Sequence, residues 1–150
     1  MRYFEDFQVG EVIRLKPFSL SEAEIIAFAT RYDPQPMHTD PDAARRTPFR
    51  GLIASGWHTC ALAMRATVAW FADAKVASLG SPGLERVRWL APIRPGDVLD
   101  GSLEVLSLRP SASRPMGIVE QRLEFRNQTG TLVFSMIGTG FFARRPQGAA

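Results

Sequence analysis

The sequence predicts an α+β domain in which an antiparallel sheet of about five strands curls around one long central helix. Three observations predict it. Residues 57–72 read WHTCALAMRATVAWFA, apolar or small on nearly every face. At about 16 residues this helix is shorter than the roughly 20 that span a bilayer, so protein has to cover it. Residues 86–143 carry four segments of period-two alternation separated by turn residues. Finally, 150 residues at 45% hydrophobic content suit one core, so residues 1–150 read as a single domain.

Taken in order, Phe4, Phe7 and Val9 precede the turn residue Gly10, and Val12, Ile13 and Leu15 then suggest a short strand entered from an extended arm. Ser21 and Glu24 make an S-x-x-E capping box, after which Ala23, Ile25, Ile26, Phe28, Ala29 and Tyr32 recur at helical spacing. The helix has to stop at Asp33, because Pro34 disfavours helical geometry in the residue before it. Pro34 and Pro36 are expected to hold the following residues extended. Asp40-Pro41-Asp42 then reads as an N-cap, a first-turn proline and an acidic first turn for a brief helix through Arg45. Pro48 and Gly51 end that helix and lead through Ser55-Gly56 into the central one.

After an expected break at 80–83 (Gly-Ser-Pro-Gly), strands are predicted over 86–90, 98–108, 118–125 and 131–143. The second shifts register near Leu106 and Leu108. The third carries one polar exception, Gln121, on its apolar side. Asn127-Gln128-Thr129-Gly130 is a hairpin signal, and residues 144–150 read as a disordered tail.

Composition narrows the function. The formal charge is +3, but the arginines are scattered and form no basic run, so no nucleic-acid partner is expected. The same mild excess suits a small ligand carrying phosphates. With no long uncharged apolar run and no basic-then-apolar start, neither a membrane partner nor export is expected, and a cytoplasmic location is. The single cysteine, Cys60, lies in the most apolar stretch and reads as a packing residue. His38 and His58 are the only histidines, and no CxxC or HxxxH spacing occurs, so no metal site is expected. A sheet of about five strands leaves part of an all-apolar helix bare, so pairing edge to edge through a two-fold axis predicts a homodimer or a dimer-based higher oligomer.

The chemistry concentrates in Tyr32-Asp33-Pro34-Gln35-Pro36-Met37-His38-Thr39-Asp40 and in Gly51-Leu52-Ile53-Ala54-Ser55-Gly56-Trp57-His58. Singly, Asp33 reads as a helix terminator and His38 as a loop histidine. Together, on a segment stiffened by two prolines and followed by a helix start with free N–H groups, they read as a site. Ser55 has a sufficient explanation as an N-cap. Asp40 reads as a cap, His58 as a structural histidine, and Trp57, Trp70 and Phe71 as core.

The pattern Asp33-x-Gln35-Pro36-Met37-His38-x-Asp40, followed by Gly51-Leu52-Ile53-Ala54-Ser55-Gly56 and by Arg88-Trp89-Leu90-Ala91-Pro92-Ile93-Arg94-Pro95-Gly96-Asp97, resembles the MaoC-like dehydratases and (R)-specific enoyl-CoA hydratases. The resemblance covers nearly the whole chain and implies the hot-dog fold. It implies that Asp33 and His38 are the catalytic pair, that Ser55 stands close to them, and that the Gly56 N–H meets the thioester oxygen. The implied substrate is an acyl-CoA in fatty acid metabolism, and no separate cofactor is implied. Gln35 stands where established hydratases usually have asparagine, one methylene shorter, and this bears on the acyl group accepted. Arg86, Arg88 and Arg94 are candidates for the coenzyme A phosphates, although their alternation equally marks a solvated strand face. Two other readings stay open on the same fold: a thioesterase, and a non-catalytic acyl-binding or assembly subunit. An RNA-binding module is more distant.

Overall fold

In the computed structural model, which describes residues 1–146, the alternating segments form the strands β3 (Ser78–Trp89), β4 (Val98–Pro110), β5 (Met116–Arg126) and β6 (Leu132–Ala143), joined by the early strands β1 (Val12–Arg14) and β2 (Phe18–Ser19). The sheet order is β1-β4-β5-β6-β3, all antiparallel, with β2 also paired to β4. The sheet is open. Four helices lie between β2 and β3: α1 (Glu22–Tyr32), α2 (Pro36–Thr39), α3 (Pro41–Arg45) and α4 (Gly56–Asp73). This is the hot-dog arrangement, with α4 as the filling.

The alternation works as read. Along β5, Val119, Gln121, Leu123 and Phe125 are buried while their neighbours face outward, and Leu99, Leu103 and Val105 do the same on β4. These residues meet Leu62, Ala63 and Ala66 of α4 in one core. Each large apolar side chain taken fully from water contributes roughly 1.5–3 kcal/mol. The shift near Leu106 is a β-bulge: Val105 opposes Gln121 and Ser107 opposes Glu120, so Leu106 is the extra residue. The hairpin at 127–130 closes through Asn127, whose side-chain oxygen accepts from the amides of Thr129 and Thr131, with Gly130 at φ +79°.

Several expectations need correcting. The break at 80–83 lies inside β3, which runs from Ser78. Pro82 is tolerated because β3 is an edge strand that, among the described residues, has no sheet neighbour on its outer side. Register shifts flank the glycines, and Ser81 Oγ donates to the Thr139 carbonyl at 2.6 Å. Pro36 opens the short helix α2 and does not extend the chain, since its missing N–H is not needed in a first turn. Trp57, expected in the core, is 63% exposed, and Met64 and Val68 at 42% and 50% mark the bare part of the central helix that one open sheet leaves, as expected. The expected tail is ordered where described. The Arg144 side chain reaches Glu5 Oε1 at 3.1 Å, the Arg145 amide donates to Glu5 Oε2, and its guanidinium pairs with Asp6 at 2.6 Å. Residues 147–150 lie outside the described residues.

Candidate active site

The site begins with the way α1 starts and ends. Ser21 and Glu24 satisfy each other's backbone amides at 3.2 and 2.8 Å, fixing the helix start. At the other end the Asp33 amide still bonds to the Ala29 carbonyl at 2.8 Å, but its φ of −154° turns the chain out of the helix. Pro36 then opens α2, and the His38 amide donates to the Gln35 carbonyl at 2.9 Å, placing the imidazole beside the end of α1.

The segment before α4 closes over this turn. The Ile53 amide donates to the Met37 carbonyl at 3.1 Å, and His38 Nδ1 lies 2.8 Å from the Ile53 carbonyl. The Ala54 amide donates to the Ile93 carbonyl at 2.8 Å. Ser55 is the N-cap of α4 and fully buried. Its hydroxyl donates to Asp33 Oδ2 at 2.6 Å and accepts from the Trp57 amide at 3.3 Å. Capping and contact with the carboxylate are therefore one arrangement, made by the two faces of a single hydroxyl.

Both carboxylate oxygens of Asp33 are bound, Oδ1 by Gln35 Nε2 at 2.7 Å and Oδ2 by Ser55. The Ser55 bond, then the Gln35 bond, hold the carboxyl below the usual range and keep it ionised. His38 Nε2 stands 3.5 Å from Asp33 Oδ2. A carbonyl only accepts, so Ile53 requires the proton on Nδ1, and Nε2 of the neutral ring keeps its lone pair toward Asp33. The two acceptors thus stand side by side at the cavity wall, where one donor in the cavity reaches both.

Asp33, Gln35, His38 and Gly56 line one cavity of about 470 Å³, whose apolar wall includes Met37, Phe49, Trp57, Trp89 and Leu90. Among the described residues no acceptor meets the Gly56 N–H, the first amide of α4. The fold therefore brings Asp33, His38, Ser55 and Gly56 together. It separates the three arginines: Arg86 and Arg88 do not line the cavity, the Arg88 guanidinium folding back onto the Val87 carbonyl at 3.0 Å. Arg94 does not line it either, but donates to the carbonyl of the lining residue Phe49 at 2.6 Å.

His58 points the other way, stacked on Phe28 with ring centres 4.4 Å apart, its buried Nδ1 without a partner among the described residues. Cys60 is half-buried, and burial raises its thiol pKa. The residue that sequence reasoning passed over is Trp89. It reads as one more member of an alternating strand, yet its indole N–H donates to the Gly56 carbonyl at 2.9 Å. Nothing in the local pattern links residues 33 apart in the chain.

The fold and this site define a hot-dog domain of the dehydratase type. The MaoC like domain matches residues 6–124, and the chain belongs to that family. It is 36% identical to a MaoC-like dehydratase from Rhodospirillum rubrum whose crystal structure superposes with a TM-score of 0.87, covering 97% of this chain and 99% of that one. It is 32% identical over 117 residues to the 3-hydroxybutyryl-CoA dehydratase of Methylorubrum extorquens, covering 75% of this chain and 69% of that protein. It is also 30% identical over 132 residues to the uncharacterized protein YdeM of Bacillus subtilis, covering 87% and 91%.

Proposed function

We propose that the chain is an acyl-CoA hydratase/dehydratase, adding water to a trans-2-enoyl thioester or removing it. The observation that carries this reading is the pair of adjacent acceptors, His38 Nε2 and Asp33 Oδ2, 3.5 Å apart at the wall of a largely apolar cavity. A water in the cavity beside them donates one hydrogen to each. As its oxygen bonds to C3 of the enoyl group, His38 takes one proton as general base, and ionised Asp33 stabilises the imidazolium. Electron density moves to the thioester oxygen, where the Gly56 N–H meets the enolate. An oxyanion donor of this kind contributes about 3–4 kcal/mol in other enzymes. The imidazolium then returns its proton to C2, restoring the dyad. Dehydration is the reverse.

The relative named 3-hydroxybutyryl-CoA dehydratase supports a coenzyme A thioester as substrate. Met37, Phe49, Trp57 and Leu90 supply the apolar lining for the acyl group, and Arg94, behind the lining residue Phe49, remains the best placed of the three arginines for the phosphates. Two copies are proposed to pair through β3, which has no outer strand partner among the described residues and whose Leu79 and Leu84 are exposed. A second copy also covers Met64 and Val68, which line an apolar cavity of about 360 Å³ between α4 and the β3–β6 edge. We place the protein in the cytoplasm; among the described residues no helix is long and apolar enough to cross a membrane.

The test mixes purified protein with a panel of trans-2-enoyl-CoA thioesters, following the conjugated-enoyl absorbance and free thiol together. Absorbance loss without thiol supports the proposal. Thiol release moves the assignment to a thioesterase, and binding without turnover to an acyl-binding subunit.

A further inference from the structure

We infer that Trp89 is a positioning residue that sets the first turn of α4, and that residue 56 has to be glycine because of the Trp89 ring. The inference rests on the reading of Gly56 N–H as the oxyanion donor. A glycine at a helix start commonly serves a turn that needs positive φ, but Gly56 is not among the residues with positive φ, so its backbone would accept a side chain. The space would not. A Cβ built on Gly56 meets Cε2, Nε1 and Cδ2 of Trp89 within 2.8 Å.

The ring is held from three sides. Trp89 ends β3 opposite Phe134, a fully buried core residue of β6, so the sheet fixes its backbone. Its indole N–H donates to the Gly56 carbonyl at 2.9 Å, and Trp57 packs edge-on against it with ring centres 5.9 Å apart. Yet Trp89 is 49% exposed, so core filling does not account for it. The indole instead couples the sheet to the carbonyl of the residue whose N–H is the proposed donor, restricting rotation at that residue. An oxyanion donor works only if it is aimed before charge develops, and a misplacement of about 1 Å costs up to about a hundredfold in rate.

Trp89→Phe keeps an aromatic ring and removes the N–H donor together with part of the indole. It is expected to shift the Gly56 amide resonance in ¹⁵N-labelled protein and to lower kcat about tenfold or more, with KM changed less than about twofold, since the interaction lost is one made in the transition state. Gly56→Ala is expected to lower kcat and melting temperature in the wild-type background. In a Trp89→Leu background it should add less than about a twofold further loss, because the clash is gone. A Trp89→Phe protein with wild-type kcat and an unmoved Gly56 resonance overturns the inference. So does Gly56→Ala proving as harmful without the indole as with it. If Trp89→Leu does not fold, the Trp89→Phe comparison decides alone. Should wild type turn over no enoyl thioester while Trp89→Phe still moves the Gly56 resonance, the positioning is supported and the hydratase reading is what fails.

Discussion

Ser55 Oγ lies 2.6 Å from Asp33 Oδ2, joining residues 22 apart and tying the start of α4 to the end of α1. The bond places a carboxylate and a helix start on one cavity, and it is the largest influence lowering the Asp33 pKa.

Ser55→Ala removes that bond and the N-cap together. Loss of the cap should lower stability by about 0.5–2 kcal/mol. Loss of the donor lets the Asp33 pKa rise toward its ordinary value, so the acid limb of the kcat/KM profile should move to higher pH. Gln35→Ala should move it in the same direction by less, since Gln35 is the second influence on Asp33. Equal profiles for all three proteins would remove Asp33 from the rate equation.

Asp33→Asn keeps the size of the side chain and removes its charge. Hydration of the best enoyl-CoA in the panel should fall about 10²–10⁴-fold, while the melting temperature stays close to that of wild type. Retained turnover would show that His38 exchanges its proton without an ionised Asp33 beside it.

His58 predicts a pH dependence of stability with no effect on the dyad. Burial against Phe28 lowers its pKa from 6.5, while nearby Glu24 raises it and Arg65 lowers it further. The unfolded chain therefore binds more protons than the folded one just below pH 6.5, so stability is complete above that pH and declines as pH falls below it. His58→Phe should flatten the decline in urea titrations run between about pH 7 and 5. The same slope in the variant would show that another group is responsible.

Pairing through β3 is open to charge. Leu79→Lys with Leu84→Lys places two cations on the exposed edge, a substitution pattern that opposes edge-to-edge association. Sedimentation equilibrium should show twice the chain mass for wild type and a single chain for the variant. A dimer that survives both lysines would locate the interface elsewhere.

The sequence by itself determined most elements whose cause is local, the short helix α2 opened by Pro36 excepted. The Ser21 and Glu24 capping box, the stop enforced by Pro34, the cap at Asp40, the alternation of β4 and β5 and the Asn127 hairpin depend on groups a few residues apart. The spacing of Asp33 and His38, set by one short turn, was legible for the same reason. Tertiary structure decided what depends on distant partners. Pro82 entered a strand only because β3 lies at the edge, and Trp57 was left exposed because the open sheet covers the other side of α4. The ionised state of Asp33, the tautomer of His38 and the need for glycine at residue 56 were set by Ser55, Ile53 and Trp89. Hydrogen bonds and steric exclusion act over a few ångströms of space, and chain separations of 15 to 33 residues leave no period in the sequence from which to read them.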